Sequence, residues 1–313
     1  MKIRKENDFM KEIYILVKRN ILIFIRDRAS VFFSVLSMLI VLMLMVVFLG
    51  NMNTDNTVEV LEQYGGIRDA VLDRWNAKWL IGMWTLAGVL LVNCVTVPMT
   101  VMGNMVTDEM EGKLAAFYVT PVKRSKIALG YILASWLIGI LLCLLTLVIG
   151  EIYLAASGVR MLNASDCAAL AGMILINTFL YSAVAYLIAL FIHSSGAWSG
   201  MLTVIGTLVG FVGAIYLPVG MLPDKIVSVL KAIPVLHGAA MMRGVCTRDA
   251  LTAAFAGLPE QVSEVYQLEM GITISLNEQT ISDSVSILFV IGLSAAVTVA
   301  AFVVSKYRAG RDR

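Results

Sequence analysis

The chain has 313 residues, of which 59% are hydrophobic and 15% charged, with a formal net charge of +2. An ordinary soluble domain carries about 25% charged residues, so this composition excludes a soluble globular protein and points to an integral membrane protein. The net charge says little by itself, since in a membrane protein the placement of the basic residues is what informs, and no nucleic-acid partner is expected. The four cysteines, Cys94, Cys143, Cys167 and Cys246, lack CxxC or metal-ligand spacing and read as small apolar side chains in helix contacts.

Residues 8–28 place Lys11 and Lys18 seven apart, and Glu12, Arg19 and Arg26 seven apart, opposite Phe9, Ile13, Val17, Ile21 and Phe24. That period predicts an amphipathic interfacial helix, its basic face toward anionic headgroups and its apolar face in the acyl boundary. More than twenty polar and amphipathic residues precede the first apolar run, so no cleavable signal is expected. The first span is expected over 31–49, followed by a polar loop over 51–78 that ends in Trp75, Trp79 and Trp84. A second span, 79–103, contains Pro98, which predicts a kink.

Residues 104–126 form a charged segment between two long charge-free runs. Its core, 107–126, reads TDEMEGKLAAFYVTPVKRSK and must sit in water at one membrane face. Further spans are expected over 127–150, 167–192, 199–221 and 285–305. The outer segment 222–284 begins with apolar stretches broken by Pro223, Pro234 and Gly238, which predict a re-entrant or interfacial pair of helices. It ends in an acidic part, 247–283, carrying Asp249, Glu260, Glu264, Glu269, Glu278 and Asp283. Eight basic residues precede residue 29, four lie in 107–126 and four follow residue 305, so sixteen of the 24 Lys and Arg share one face. The positive-inside rule puts both termini and the charged segment in the cytoplasm. The expected fold is all-α: a polytopic membrane protein with six transmembrane helices, an N-terminal interfacial helix and outer re-entrant helices before the last span.

No GxxxxGK[ST] frame occurs, since Gly112-Lys113 is followed by Leu114, so this chain is not expected to bind nucleotide phosphates. No nucleophile elbow accompanies the two histidines, His193 and His237, and no catalytic or metal-ligating set is expected. The spans also lack ionisable residues, which counts against an ion-coupled carrier.

The order of amphipathic helix, spans, charged cytoplasmic segment after the second span and proline-bearing segment before the last resembles the permease subunit of type-2 ABC exporters. In that family the segment begins with an acidic residue, often as Glu-Arg-x-x-Gly-Thr, and ends in a proline followed by a small residue and an arginine; here Met110, Lys113 and Lys123 depart from that pattern. Glu109-Met110-Glu111-Gly112-Lys113 and Thr120-Pro121-Val122-Lys123-Arg124 stand in those places. The resemblance implies a coupling helix that docks on a separate cytoplasmic ABC ATPase, with Glu109, Glu111, Leu114, Phe117, Tyr118, Pro121 and Arg124 as its contacts. ATP and magnesium would then belong to that partner, and no cofactor is expected in this chain. It also implies a second permease copy or a paralogue, membrane lipids as neighbours, and a bacterial plasma-membrane location.

Polar side chains recur on one face of the second span at Asn93, Thr96 and Thr100, and on the fifth at Thr203 and Thr207. Such stripes either join helices or line a translocation path. The resemblance implies the path, for an amphiphilic cargo: a drug, an antimicrobial peptide, a lipid or a lipid-linked glycan. A non-transporting sensor or immunity subunit is the alternative, favoured by the acidic outer segment, and a secondary carrier is a further one.

Overall fold

The computed structural model describes residues 2–44, 50–66, 68–120, 122–276 and 279–311. In chain order it contains α1 (Lys2–Arg26), α2 (Arg28–Leu44), α3 (Gly50–Gly65), α4 (Ala70–Met110), α5 (Lys113–Tyr118), α6 (Arg124–Ala156), α7 (Ala164–Ala189) and α8 (Ser195–Val212). A 3-10 turn (Val219–Met221) leads to α9 (Asp224–Leu230), α10 (Pro234–Ala254) and α11 (Glu260–Glu269). A hairpin of two short antiparallel strands, β1 (Ser275–Leu276) and β2 (Gln279–Thr280), precedes α12 (Asp283–Arg311). Five of these helices, α4, α6, α7, α8 and α12, are long and apolar enough to cross a membrane. The expected span 31–49 begins in α2, but residues 45–49 lie outside the described residues.

The core is built around α4. It has 41 residues, so at 1.5 Å per residue it extends about 60 Å, well beyond the ~30 Å hydrocarbon layer. Between Lys78 and Asp108 it carries no charged side chain on any side, as suits a helix enclosed by others, and α3, α6, α7, α8 and α10 pack around it. Asp69 caps its start by accepting from the Val71 and Leu72 N–H groups at 2.9 and 3.3 Å. The helix continues through Pro98, whose carbonyl accepts from Ser135 Oγ at 2.8 Å. Gly139 of α6 allows this approach, because a Cβ there would lie 3.2 Å from Pro98 Cγ.

Several expectations need correction. The polar loop expected over 51–78 is helical instead, as α3 and the first turns of α4. Leu61 anchors α3 in the core with no exposed surface, and Thr57 Oγ1 lies 2.8 Å from the Tyr266 hydroxyl of α11. The expected span 199–221 is helical only as far as Val212. There the fully buried Arg243 of α10 donates to the carbonyls of Gly213 (3.1 Å), Ala214 (2.7 Å) and Gly271 (3.1 Å), and its guanidinium lies 4.5 Å over the Trp84 ring. Carbonyls that would otherwise continue or cap α8 are thereby satisfied by a side chain from another element.

In the outer segment α9 and α10 meet at 88°, with Pro234 opening α10. Instead of a short returning helix, α10 runs 21 residues as far as Ala254 and packs closely on α4 and α7. Gly238 makes that packing possible, since a Cβ there would fall 2.5 Å from Asn177 Oδ1 and 2.8 Å from Leu91 Cδ1. The first part of the acidic stretch expected over 247–283 is therefore the end of α10, with Thr247 fully enclosed and Asp249 exposed.

The apolar face of α1 is also only partly available to lipid. Ile13, Leu16 and Phe24 are buried in the protein, and Gly130 of α6 lets Leu16 approach so closely that a Cβ would lie 2.7 Å from Leu16 Cβ. Met10, Tyr14, Ile15 and Ile25 remain exposed and form the surface left to an acyl boundary. Asp27 breaks the chain between α1 and α2 and caps α2, accepting from Ser30 N–H at 3.1 Å and Ser30 Oγ at 2.6 Å. These bonds hold its carboxyl below its usual pKa.

Candidate coupling and translocation sites

At one end of α4 the chain reverses through Glu111 and Gly112 into α5. Gly112 has φ of 71°, a left-handed conformation that side chains disfavour. The two-turn α5 does not project freely. Leu114 is only 3% exposed and packs with Met102, Met105, Val106, Ile127 and Tyr131, so it belongs to the chain's own core and has no surface to offer a partner. Phe117 is half-buried with the Arg19 guanidinium 5.0 Å above its ring. The Tyr118 side chain and Pro121 lie outside the described residues. Glu111, Lys113, Ala115 and Ala116 are exposed, and Val119 is 87% exposed directly after the helix.

Beneath α5 lies a charge network that the sequence reading missed. Asp108, 3% exposed near the end of α4, accepts from Arg19 Nη1 of α1 at 2.7 Å and from the Tyr131 hydroxyl of α6 at 2.6 Å. Lys113 Nζ of α5 stands 3.9 Å from the other Asp108 oxygen and also pairs with Glu111. One carboxylate thus joins four helices. Burial by itself would lower the Arg19 pKa, but Asp108 and Tyr131 more than offset it and raise it. The hydrogen bond and charge of Glu111 raise that of Lys113. A second pair, Lys126 to Glu12 at 2.6 Å, again ties α6 to α1. The sequence did contain a signal: Asp108 is an acid at the end of a long apolar run, and Arg19 is a base on a helix with an apolar stripe. What it could not show is that they meet across 89 positions.

Glu109 extends the network sideways, with Oε1 3.1 Å from His193 Nδ1 in the connection between α7 and α8. Met110 Sδ accepts from Ser195 N–H and Oγ at 3.0 and 2.9 Å. Arg124 opens α6 in a half-buried position. The expected contact residues therefore divide into Leu114, which faces inward; Glu109, engaged with the next loop; and Glu111 and Phe117, which retain surface.

The expected path residues divide as well. Asn93 is buried and donates from Nδ2 to Thr146 Oγ1 of α6 at 3.0 Å, so it joins two helices. Thr96 and Thr100 return their hydroxyls to the carbonyls of Val92 and Thr96 at 2.9 and 3.0 Å, which leaves their methyl groups and oxygen lone pairs to the outside. With Ser30, Ser34 and Ser37 they line a cleft of about 350 Å³ between α2 and α4, and Asn93 forms part of its wall. Thr203 and Thr207 do not join it. Trp198 and Val209 face α4, whereas Thr203 lies about 140° round α8 from Trp198, on the exposed side. A Cβ at Gly196, Gly200 or Gly206 would also meet open space.

No curated protein matches the chain. A family model described as ABC-2 family transporter protein matches residues 80–305, from the buried stretch of α4 into the last turns of α12. With that match over most of its length, and with its apolar helices surrounding α4, the chain belongs to the ABC-2 family of transporter proteins, as a membrane permease component.

Proposed function

We propose that the chain is the permease subunit of an ATP-driven exporter. It docks a separate cytoplasmic ABC ATPase on the surface presented by α5 and pairs with a second copy or a paralogue. It moves an amphiphilic substrate out of a bacterial cell. The observation that carries this reading is the Asp108 network. A coupling element must pass displacement inward, and α5 sits on a buried carboxylate held at once by α1, α4 and α6. Glu111, Phe117 and Val119 form the partner-facing surface, while Leu114 anchors α5 from below. Hydroxyl groups beside Phe33 and Met38 in the cleft between α2 and α4 suit a cargo with both polar and apolar parts. The exposed face of α8, with its glycines and threonines, is the surface a second permease would close against.

The test is co-purification with candidate ATPases encoded beside it, followed by ATP-dependent transport in proteoliposomes. A stable complex with substrate-stimulated hydrolysis is expected. Hydrolysis by the isolated chain, or a complex that binds cargo without moving it, would overturn the reading, the latter in favour of a sensor.

A further inference from the structure

Helix α10 runs beside α4 from Gly238, against Leu91, to Ala253, whose carbonyl accepts from Asn76 Nδ2 at 3.4 Å. It is thus aligned with the spans, and α9 meets it at 88°, so α9 lies across them. Ile226 and Val229 of α9 are exposed. A short helix lying across the spans with apolar side chains uncovered rests them in the acyl boundary. Asp224 and Lys231 each stand two residues from one of these, about 160° round the helix, and so face the headgroup layer.

On that side a hollow of about 210 Å³ opens between α9, α11 and the first strand of the hairpin. Its floor is apolar, with Leu236 1% and Ile274 4% exposed. Three charged side chains line it: Asp224 and Lys231 from α9, and Glu269 from the end of α11. Asp224 and Lys231 stand about two turns apart on α9, and Glu269 is fixed at its own wall, where a Cβ on Gly220 would meet its Cβ and Cγ at 3.0 Å. Among the described residues none of the three makes an ion pair. Opposite charges therefore share one concave site without neutralising each other, and Thr273 and Ser275 add hydroxyl groups to its lining.

We propose that this hollow holds the headgroup of a phospholipid that bears a primary ammonium, as in phosphatidylethanolamine. The ammonium donates to Asp224 and Glu269, and the phosphate accepts from Lys231 and from the Thr273 and Ser275 hydroxyls. The acyl chains then lie in the layer that Ile226 and Val229 already occupy. A choline headgroup fits less well: it has no N–H to donate, and among the described residues no aromatic ring lines the hollow to hold a quaternary ammonium. A glycerol headgroup answers Lys231 but brings no cation to the two carboxylates. The site stands apart from α5 and from the cleft between α2 and α4, and it does not depend on ATP-driven export.

The chain alone, with no ATPase, is extracted in a neutral detergent and given an equimolar mixture of phosphatidylethanolamine, phosphatidylcholine and phosphatidylglycerol with identical acyl chains. Native mass spectrometry then reads which lipid stays bound. Preferential retention of phosphatidylethanolamine is expected. Glu269→Gln and Lys231→Gln should each weaken it about tenfold, the loss of one charge-assisted bond, and the exposed Glu269→Gln should keep the wild-type melting temperature. Lys225→Gln, an exposed change on α9 outside the hollow, should retain the lipid as the wild type does. The proposal is overturned by no retained lipid, by equal retention of either other lipid, by wild-type retention in Glu269→Gln or Lys231→Gln, or by an equal loss in Lys225→Gln. Displacement by free phosphoethanolamine at the lipid's own concentration would also overturn it, making the ligand a soluble zwitterion. Because no ATPase takes part, failure here is separable from failure of the coupling experiment.

Discussion

Asp108 is the residue on which the end of the molecule bearing α5 turns. Replacing it with asparagine leaves Arg19, 27% exposed, beside an amide that balances no charge. Removal of one partner from a fully buried ion pair costs about 3 to 5 kcal/mol, and partial exposure of Arg19 reduces that to about 2 kcal/mol here. Chemical unfolding in detergent should show this loss for Asp108→Asn, and a smaller combined loss than the sum when Arg19→Gln is added, because the second change removes the stranded charge. Additive losses would mean that the two side chains do not act on each other. Leu114 and Phe117 differ in a way that can be measured. Leu114→Ala should cost about 2 to 4 kcal/mol of stability through a cavity in the core. Phe117→Ala should keep the fold but weaken ATPase association by about 2 kcal/mol, more than Glu109→Ala does, since an aromatic anchor outweighs a rim charge. Wild-type ATPase retention by Phe117→Ala would remove it from the docking surface.

Between elements, two contacts separate assembly from transport. Asn93→Leu deletes the bond from α4 to Thr146 on α6 and should lower stability by about 1 kcal/mol. Thr100→Val keeps the shape of an exposed side chain whose hydroxyl is satisfied within its own helix. It should leave unfolding unchanged while reducing transport, if the cleft between α2 and α4 carries cargo. Equal stability loss in both variants would mark the stripe as helix contacts alone. The seam between α1 and α6 depends on Gly130, and Gly130→Val drives a side chain into Leu16. Insertion of the later helices should survive, while ATPase stimulation by substrate falls, because α1 loses its place against α6 and Arg19 its reach to Asp108. Cysteine accessibility measured beside hydrolysis distinguishes that outcome from general misfolding.

Across the whole molecule, Arg243 joins three parts of the chain far apart in sequence: the end of α8, the turn after α11 and the Trp84 face of α4. Arg243→Met keeps the length of the side chain but leaves the Gly213, Ala214 and Gly271 carbonyls without their donor. A loss of about 3 kcal/mol is expected, with earlier proteolysis near 213–223, since buried acceptors lose their partners together. A gain in stability would show that the cost of burying the guanidinium exceeds its bonds.

The membrane character and all-helical class were legible in the sequence because long charge-free runs leave the backbone no way to satisfy itself in lipid except as helix. The charged segment after the second run was legible for the same reason, since Asp, Glu, Lys and Arg clustered between two such runs must return to water. Periodicity also found α1, but not its neighbour: an apolar stripe has the same pattern whether lipid or Gly130 of α6 covers it. Likewise the stretch 51–78 read as a loop because α3 is polar on most of its surface, and it is held by packing on α4 through Leu61, by the pair Asp55–Arg74 and by the bond from Thr57 to Tyr266. Which polar residues join helices, which line a cleft, and that Arg19, Asp108 and Tyr131 converge beneath α5 were decided by tertiary structure alone. Those contacts join positions up to 112 residues apart, and no local spacing rule reaches that far.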